Sequence, residues 1–123
     1  MADAKRQLVY GLHALAAMLA RAPERVLEIW AVTTRDDQRI RDIKERARQA
    51  GIPVQAAAPE TLSAMTGAAH QGVVAAIRPL RPWDEQQLLA AVERIDEDPL
   101  LLVLDGITDP HNLGACLRTA DAA

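Results

Sequence analysis

Leu100-Leu101-Leu102-Val103-Leu104-Asp105-Gly106-Ile107-Thr108-Asp109-Pro110-His111-Asn112-Leu113-Gly114-Ala115-Cys116-Leu117-Arg118-Thr119-Ala120 reads as a strand, a polar loop and a helix in direct succession. The unbroken apolar run Leu100–Leu104 fits a strand buried on both faces. Asn112 is a good N-cap residue for a helix beginning near Leu113, and Leu113, Cys116, Leu117 and Ala120 give that helix an inward face. Strand followed by helix is the building unit of an α/β fold with a largely parallel sheet. In such sheets ligands gather at the carboxyl ends of strands, so position alone makes this loop a candidate site.

The residues sharpen that reading. Gly114, Arg118 and Asp121 fall at i, i+4 and i+7, on a different face from the apolar one. Helical side chains lean towards the N-terminus, so Arg118 is expected to run back over Gly114, which has no side chain to obstruct it. That puts a guanidinium near backbone N–H groups at a helix start, a natural phosphate site. Histidine is a common general base, but His111 reads mainly as a loop residue. No metal site is expected from Asp105, Asp109 and His111.

Working outward, the segment Arg78-Pro79-Leu80-Arg81-Pro82 resists both helix and central strand and reads as a linker. Behind it, Asp84 with Gln87 three residues on spells a capping box, flanked by a Trp83/Leu88 staple. The helix it starts has Leu88, Leu89, Val92 and Ile95 as its apolar face. Ahead of the linker, Leu12, Leu15, Ala16 and Leu19 mark one helix face, and Ile40, Ile43, Ala47 and Ala50 a second, stopped by Gly51. Strands are expected at Val26–Val32, Ile52–Gln55 and Val73–Ile77, with a short helix at Pro59–Met65.

The chain has 123 residues, half of them apolar and a quarter charged, which fits one ordinary domain or a small domain plus part of another. Tyr10, Trp30 and Trp83 are its only aromatic residues, so no platform for stacking bases is evident. A single cysteine, Cys116, excludes an intramolecular disulfide. With no apolar stretch near 20 residues and no signal-like start, a cytoplasmic location is expected. The net charge of −3 hides an asymmetry: up to Arg81 there are 12 Lys/Arg against 8 Asp/Glu, and from Pro82 on 2 against 9. The basic residues cluster as Arg35, Arg39, Arg41, Lys44, Arg46 and Arg48. Of these, Arg41, Lys44 and Arg48 share a helix face, with Arg41 able to pair with Glu45. A solvated helix and a surface for RNA backbone are both open readings of that face. His13, beside the apolar face of the first helix, reads as a packed or capping residue, and His70 as a turn residue.

The string from Asp105 to Ala120 closely resembles the first motif of the SpoU (TrmH-like) RNA ribose 2'-O-methyltransferases of the SPOUT superfamily. Tyr10-Gly11-Leu12-His13-Ala14 and His70-Gln71-Gly72-Val73-Val74-Ala75 resemble the start and end of the N-terminal domain in the subgroup that methylates large-subunit (23S) ribosomal RNA on guanosine. The resemblance implies an L30e-like α/β/α RNA-binding domain over 1–77, a linker over 78–83, and over 84–123 the first helix-strand-helix of a trefoil-knot methyltransferase domain. It implies Arg118 and Asn112 as catalytic residues. Gly114, Arg41, Lys44 and Arg48 are expected at the RNA substrate. S-adenosylmethionine is the implied cofactor, held by later motifs beyond Ala123, so the 123 residues alone are expected to be inactive. The implied whole enzyme is a homodimer. The competing expectation is a non-catalytic L30e-type RNA-binding adapter with a remnant methyltransferase tail.

Overall fold

The computed structural model describes residues 6–34, 36–67 and 69–123. They form a mixed α/β structure whose four strands make one sheet. The chain divides into two compact units, Met1–Arg81 and Pro82–Ala123.

In the first unit the order is β1 (Gln7–Tyr10), α1 (Leu12–Arg21), β2 (Val26–Val32), α2 (Gln38–Gln49), β3 (Val54–Ala57), α3 (Pro59–Thr66) and β4 (Val73–Ile77), with a 3-10 turn at Pro23–Arg25 before β2. Leu12, Leu15 and Leu19 are the buried stripe of α1. In α2 the buried stripe is Ile40, Ile43 and Ala47, and the Asp37 carboxylate caps that helix by accepting the Ile40 N–H at 3.0 Å. Ala50, expected on the same stripe, is exposed, because the helix has already ended at Gln49. These stripes close over β2 and β4 in a core that includes Ile29, Ala31, Val73, Ala75 and Ile77. β4 is buried at every position, which suits its β-branched and alanine content in a central strand.

The sheet order is β1-β4-β2-β3. Only β2 and β3 run parallel; β4 is antiparallel to both β1 and β2. This corrects the expectation of a largely parallel sheet. The helical crossover α2 brings β3 back parallel to β2, as such connections do. The sheet is mixed because β4 returns antiparallel to β2, and β1, which was not among the expected strands, adds a second antiparallel pair with β4. The third strand also sits two residues later than Ile52–Gln55, at Val54–Ala57, because Gly51 (φ +70°), Ile52 and Pro53 are spent on the turn out of α2.

Gly11 joins β1 to α1 with φ +99° and ψ +147°, a conformation favouring glycine. A Cβ there would also stand 3.4 Å from Oε1 of Gln71, the atom that accepts the Leu12 N–H at 3.0 Å. Gly11→Ala is therefore expected to destabilise the unit by about 1–3 kcal/mol. Urea unfolding measures it; a loss under about 0.5 kcal/mol would mean the turn relaxes freely.

The second unit contains α4 (Glu85–Glu93) and α5 (Pro110–Ala122). The capping box at Asp84 is complete: Asp84 Oδ1 accepts the Gln87 N–H at 2.8 Å, and Gln87 Oε1 accepts the Asp84 N–H at 3.0 Å. Leu100–Leu104, expected as a strand, is not one here, and its side chains range from 38 to 86% exposed. A strand needs a neighbour for its N–H and C=O groups, and no described residue of this unit forms one. None of its described residues is buried. So the apolar faces expected of α4 and α5 are present in sequence but only partly covered.

Candidate functional site

α5 begins three residues before the expected start. Its N-cap is Asp109, whose Oδ1 accepts the His111 N–H at 2.8 Å, and Pro110 is the first helical residue. This corrects the assignment of the cap to Asn112. Aspartate followed by proline is the stronger start signal, because the proline ring fixes a helical φ and lacks the N–H that would be orphaned there. Asn112 therefore lies inside the first turn, and His111 also belongs to the helix rather than to a loop. Gly114 and Arg118, four residues apart, do come together: a Cβ on Gly114 would lie 3.8 Å from Nη1 of Arg118. The guanidinium thus folds back along the helix towards its N-terminus. Asn112 precedes Arg118 by six residues, which rotates it about 120° away around the helix axis. Arg118 is exposed, and no described residue pairs with its side chain.

α2 carries the basic cluster on two flanks. At about 100° per residue, Arg41, Lys44 and Arg48 fall on one side of the buried stripe and Arg39 and Arg46 on the other. The first flank is partly neutralised. Arg48 donates to both carboxylate oxygens of Glu45, at 3.0 and 2.6 Å, and Nε of Arg41 lies 3.6 Å from Asp36 Oδ1. The expected Arg41/Glu45 pair is replaced, since Glu45 is taken by the two-point grip of Arg48. Those hydrogen bonds, with one from Gln49, hold the Glu45 carboxyl below its ordinary pKa, and the same contact raises that of Arg48. Lys44 and Arg48 border a groove of about 370 Å³ floored by Ala31, Ile52, Val54 and Ala56. On the second flank, Arg39 and Arg46 border a groove of about 220 Å³ with Leu12, His13, Ala16, Asp42 and Ile43. Arg35 lies outside the described residues.

The histidines divide. His70 has the expected turn role: Nδ1 accepts the Gly72 N–H at 3.0 Å, and Nε2 stands 3.2 Å from Ser63 Oγ. The Ser63 hydroxyl already donates to the Pro59 carbonyl, so Nε2 carries the proton. His13 is exposed and caps nothing, contrary to the packed or capping role expected of it. The strand registers place Tyr10 and Trp30 on one sheet face, either side of Val74. That shared face was missed in the sequence because β1 was. With a strand between them the two rings are about 10 Å apart and do not form a stack.

No three His, Cys, Asp or Glu residues among those described are placed to hold a metal ion, and no described helix is long and apolar enough to cross a membrane. The groove beside α5 does not fit S-adenosylmethionine. It measures about 430 Å³ and is lined by Leu100, Leu101, Leu102, Ala115, Cys116, Thr119, Ala120 and Ala123, with no carboxylate or amide side chain to grip a ribose or an amino-acid group.

A family model described as RNA 2'-O ribose methyltransferase substrate binding matches residues 8–83. Three curated proteins similar to this chain are each named 23S rRNA (guanosine-2'-O-)-methyltransferase RlmB. That of Yersinia pestis is 48% identical over 118 residues, 95% of this chain and 48% of the relative. That of Pseudomonas aeruginosa is 48% identical over 115 residues, 94% and 46% of the two chains. That of Escherichia coli K12 is 43% identical over 118 residues, 95% and 48%. The chain thus spans about half the length of the curated relatives it matches.

Proposed function

Because this chain belongs to the RNA 2'-O ribose methyltransferase substrate-binding (SpoU) family, we propose that it is the RNA-recognition half of a 23S rRNA guanosine 2'-O-methyltransferase. The observation that carries the proposal is the identity of 48% with the Yersinia pestis relative, over a stretch too long to omit Asp105–Arg118. In this reading residues 1–77 are an L30e-like α/β/α RNA-binding domain, 78–83 a linker, and 84–123 the opening of a SPOUT methyltransferase domain. The exposed leucines of 100–104 support the last part, since they suit a strand covered by further sheet neighbours. The whole enzyme is a homodimer working in the cytoplasm. Its methyl donor, S-adenosylmethionine, is held by residues corresponding to the half of the relatives that this chain does not span.

The chemistry left to this chain is placement. S-adenosylmethionine would supply the methyl group, its carbon–sulfur bond breaking to leave a neutral thioether as the ribose 2'-oxygen bonds to that carbon and releases its proton to solvent. Arg118 holds the neighbouring phosphate with its guanidinium and stabilises the developing alkoxide. Asn112 orients the first turn of α5 near the target ribose, and Gly114 leaves the approach open. Arg41, Lys44 and Arg48 meet the RNA backbone, with Lys44 the member of that flank that pairs with no carboxylate among the described residues.

The test is a chimera in which these 123 residues replace the matching half of the Yersinia pestis relative. Methylation of a guanosine 2'-OH in 23S rRNA is expected, while the 123 residues alone should show no S-adenosylmethionine binding by calorimetry. A folded chimera that binds the RNA and leaves it unmethylated would overturn the enzyme reading in favour of an RNA-binding adapter. Micromolar cofactor binding by the short chain would refute the division of labour.

A further inference from the structure

We infer that the groove between α1 and α2, bordered by Arg39, Arg46 and His13, is the principal grip of this domain on the RNA sugar-phosphate backbone. The inference rests on the RNA-binding reading above and names where on the domain that binding occurs.

Three observations converge on this groove. First, the guanidinium groups of Arg39 and Arg46 have no ion-pair or hydrogen-bond partner among the described residues, whereas Arg48 is held at two points by Glu45 and Arg41 lies against Asp36. A phosphate reaching Arg41 or Arg48 on the opposite flank competes with a carboxylate, leaving Lys44 alone there, whereas one reaching Arg39 or Arg46 competes with no ion pair among the described residues. The acid in the groove, Asp42, is itself bonded to the amide of Gln38 at 2.7 Å. Second, the site is concave and drawn from two helices, with exposed His13 contributed by the first turn of α1, where the helix dipole is positive. Third, the spacing selects the ligand. Arg39 and Arg46 are seven residues apart on one face, about 10.5 Å along the axis. That separation lets the two side chains meet two phosphates of a chain, each by a forked guanidinium. Reading backbone rather than bases also fits a domain whose Tyr10 and Trp30 stand on the sheet and not in this groove.

The experiment titrates the 123-residue chain with a folded hairpin from 23S rRNA, by fluorescence anisotropy, at several salt concentrations. Arg39→Ala with Arg46→Ala is expected to weaken binding about tenfold or more and to reduce the salt dependence by about two counterions. Arg41→Ala, Lys44→Ala and Arg48→Ala together should cost less than that pair. Arg39→Lys with Arg46→Lys should keep most of the salt dependence while losing part of the affinity, and His13→Ala should lose a few-fold. All are exposed side chains, and circular dichroism verifies the fold of each variant. If the Arg39/Arg46 double variant binds like the parent while the triple variant does not, this inference fails and the RNA-binding reading stands on the other flank. If the parent chain does not bind the hairpin even at low salt, both fall together.

Discussion

In the chimera with the Yersinia pestis half, Arg118→Ala is expected to lower single-turnover methylation by about 10²–10³-fold or more with cofactor affinity nearly unchanged. Three features of α5 lead there. The guanidinium lies back over Gly114, it is exposed, and no described side chain neutralises it. An unpaired cation beside Gly114, one turn into α5, stabilises negative charge that appears only as the 2'-OH ionises, so its loss falls on turnover rather than on ground-state binding. Cofactor affinity is the control because the groove beside α5 lacks groups to hold that molecule. Arg118→Lys should also fail substantially, since a point charge does not reproduce a planar two-point donor. Near-normal turnover in a folded Arg118→Ala chimera would return Arg118 to the role of a solvated helix residue.

What could be read in the sequence tracks how local the controlling physics is. The bounds of β2 at Val26–Val32 and β4 at Val73–Ile77 were legible because both are apolar runs bounded by turn residues. The capping box at Asp84 was legible because both of its bonds lie within four residues. β1 was not: Gln7–Tyr10 is four residues long with only Leu8 and Val9 apolar and half-buried, and it becomes a strand by pairing with β4, nearly 70 residues away. Leu100–Leu104 erred the other way, carrying a strand pattern that no described neighbour in its unit completes. At the candidate site the folding of Arg118 over Gly114 followed from helix geometry alone. The choice of Asp109 over Asn112 as cap turned on weighing Asp-Pro against a single good cap residue. The charge pairing on α2 was the hardest part, because Glu45 has both Arg41 and Arg48 within reach and only geometry decides between them. His13 and the Arg39/Arg46 flank drew little notice in the sequence because their groove exists only once α1 lies against α2.

Leu15→Ala is expected to cost the first unit about 2–5 kcal/mol, enough to consume much of the stability of a domain this small. Leu15 has no exposed surface and sits at the centre of the α1 stripe, in one core with Ile29, Ile43 and Val73. Removing its three terminal carbons leaves a void that cannot close cheaply: α1 is tied at its start through the Leu12 N–H to Gln71, and its last turn leads directly into the Pro23–Arg25 turn and β2. Trp30 in β2 reports the transition by fluorescence, and Trp83→Phe removes the second signal from a residue that is 64% exposed in the other unit. Leu88→Ala on α4 is the contrast. That leucine is 43% exposed and covers no core, so its removal should shift the same midpoint by no more than about 0.5 kcal/mol. RNA binding should follow the urea midpoint in Leu15→Ala, lost where the unit unfolds and retained below it, because no proposed RNA contact is altered. A loss under about 1 kcal/mol at Leu15 would mean that α1 is not anchored by this core. The α1/α2 groove, built on that anchorage, would then lose its structural basis.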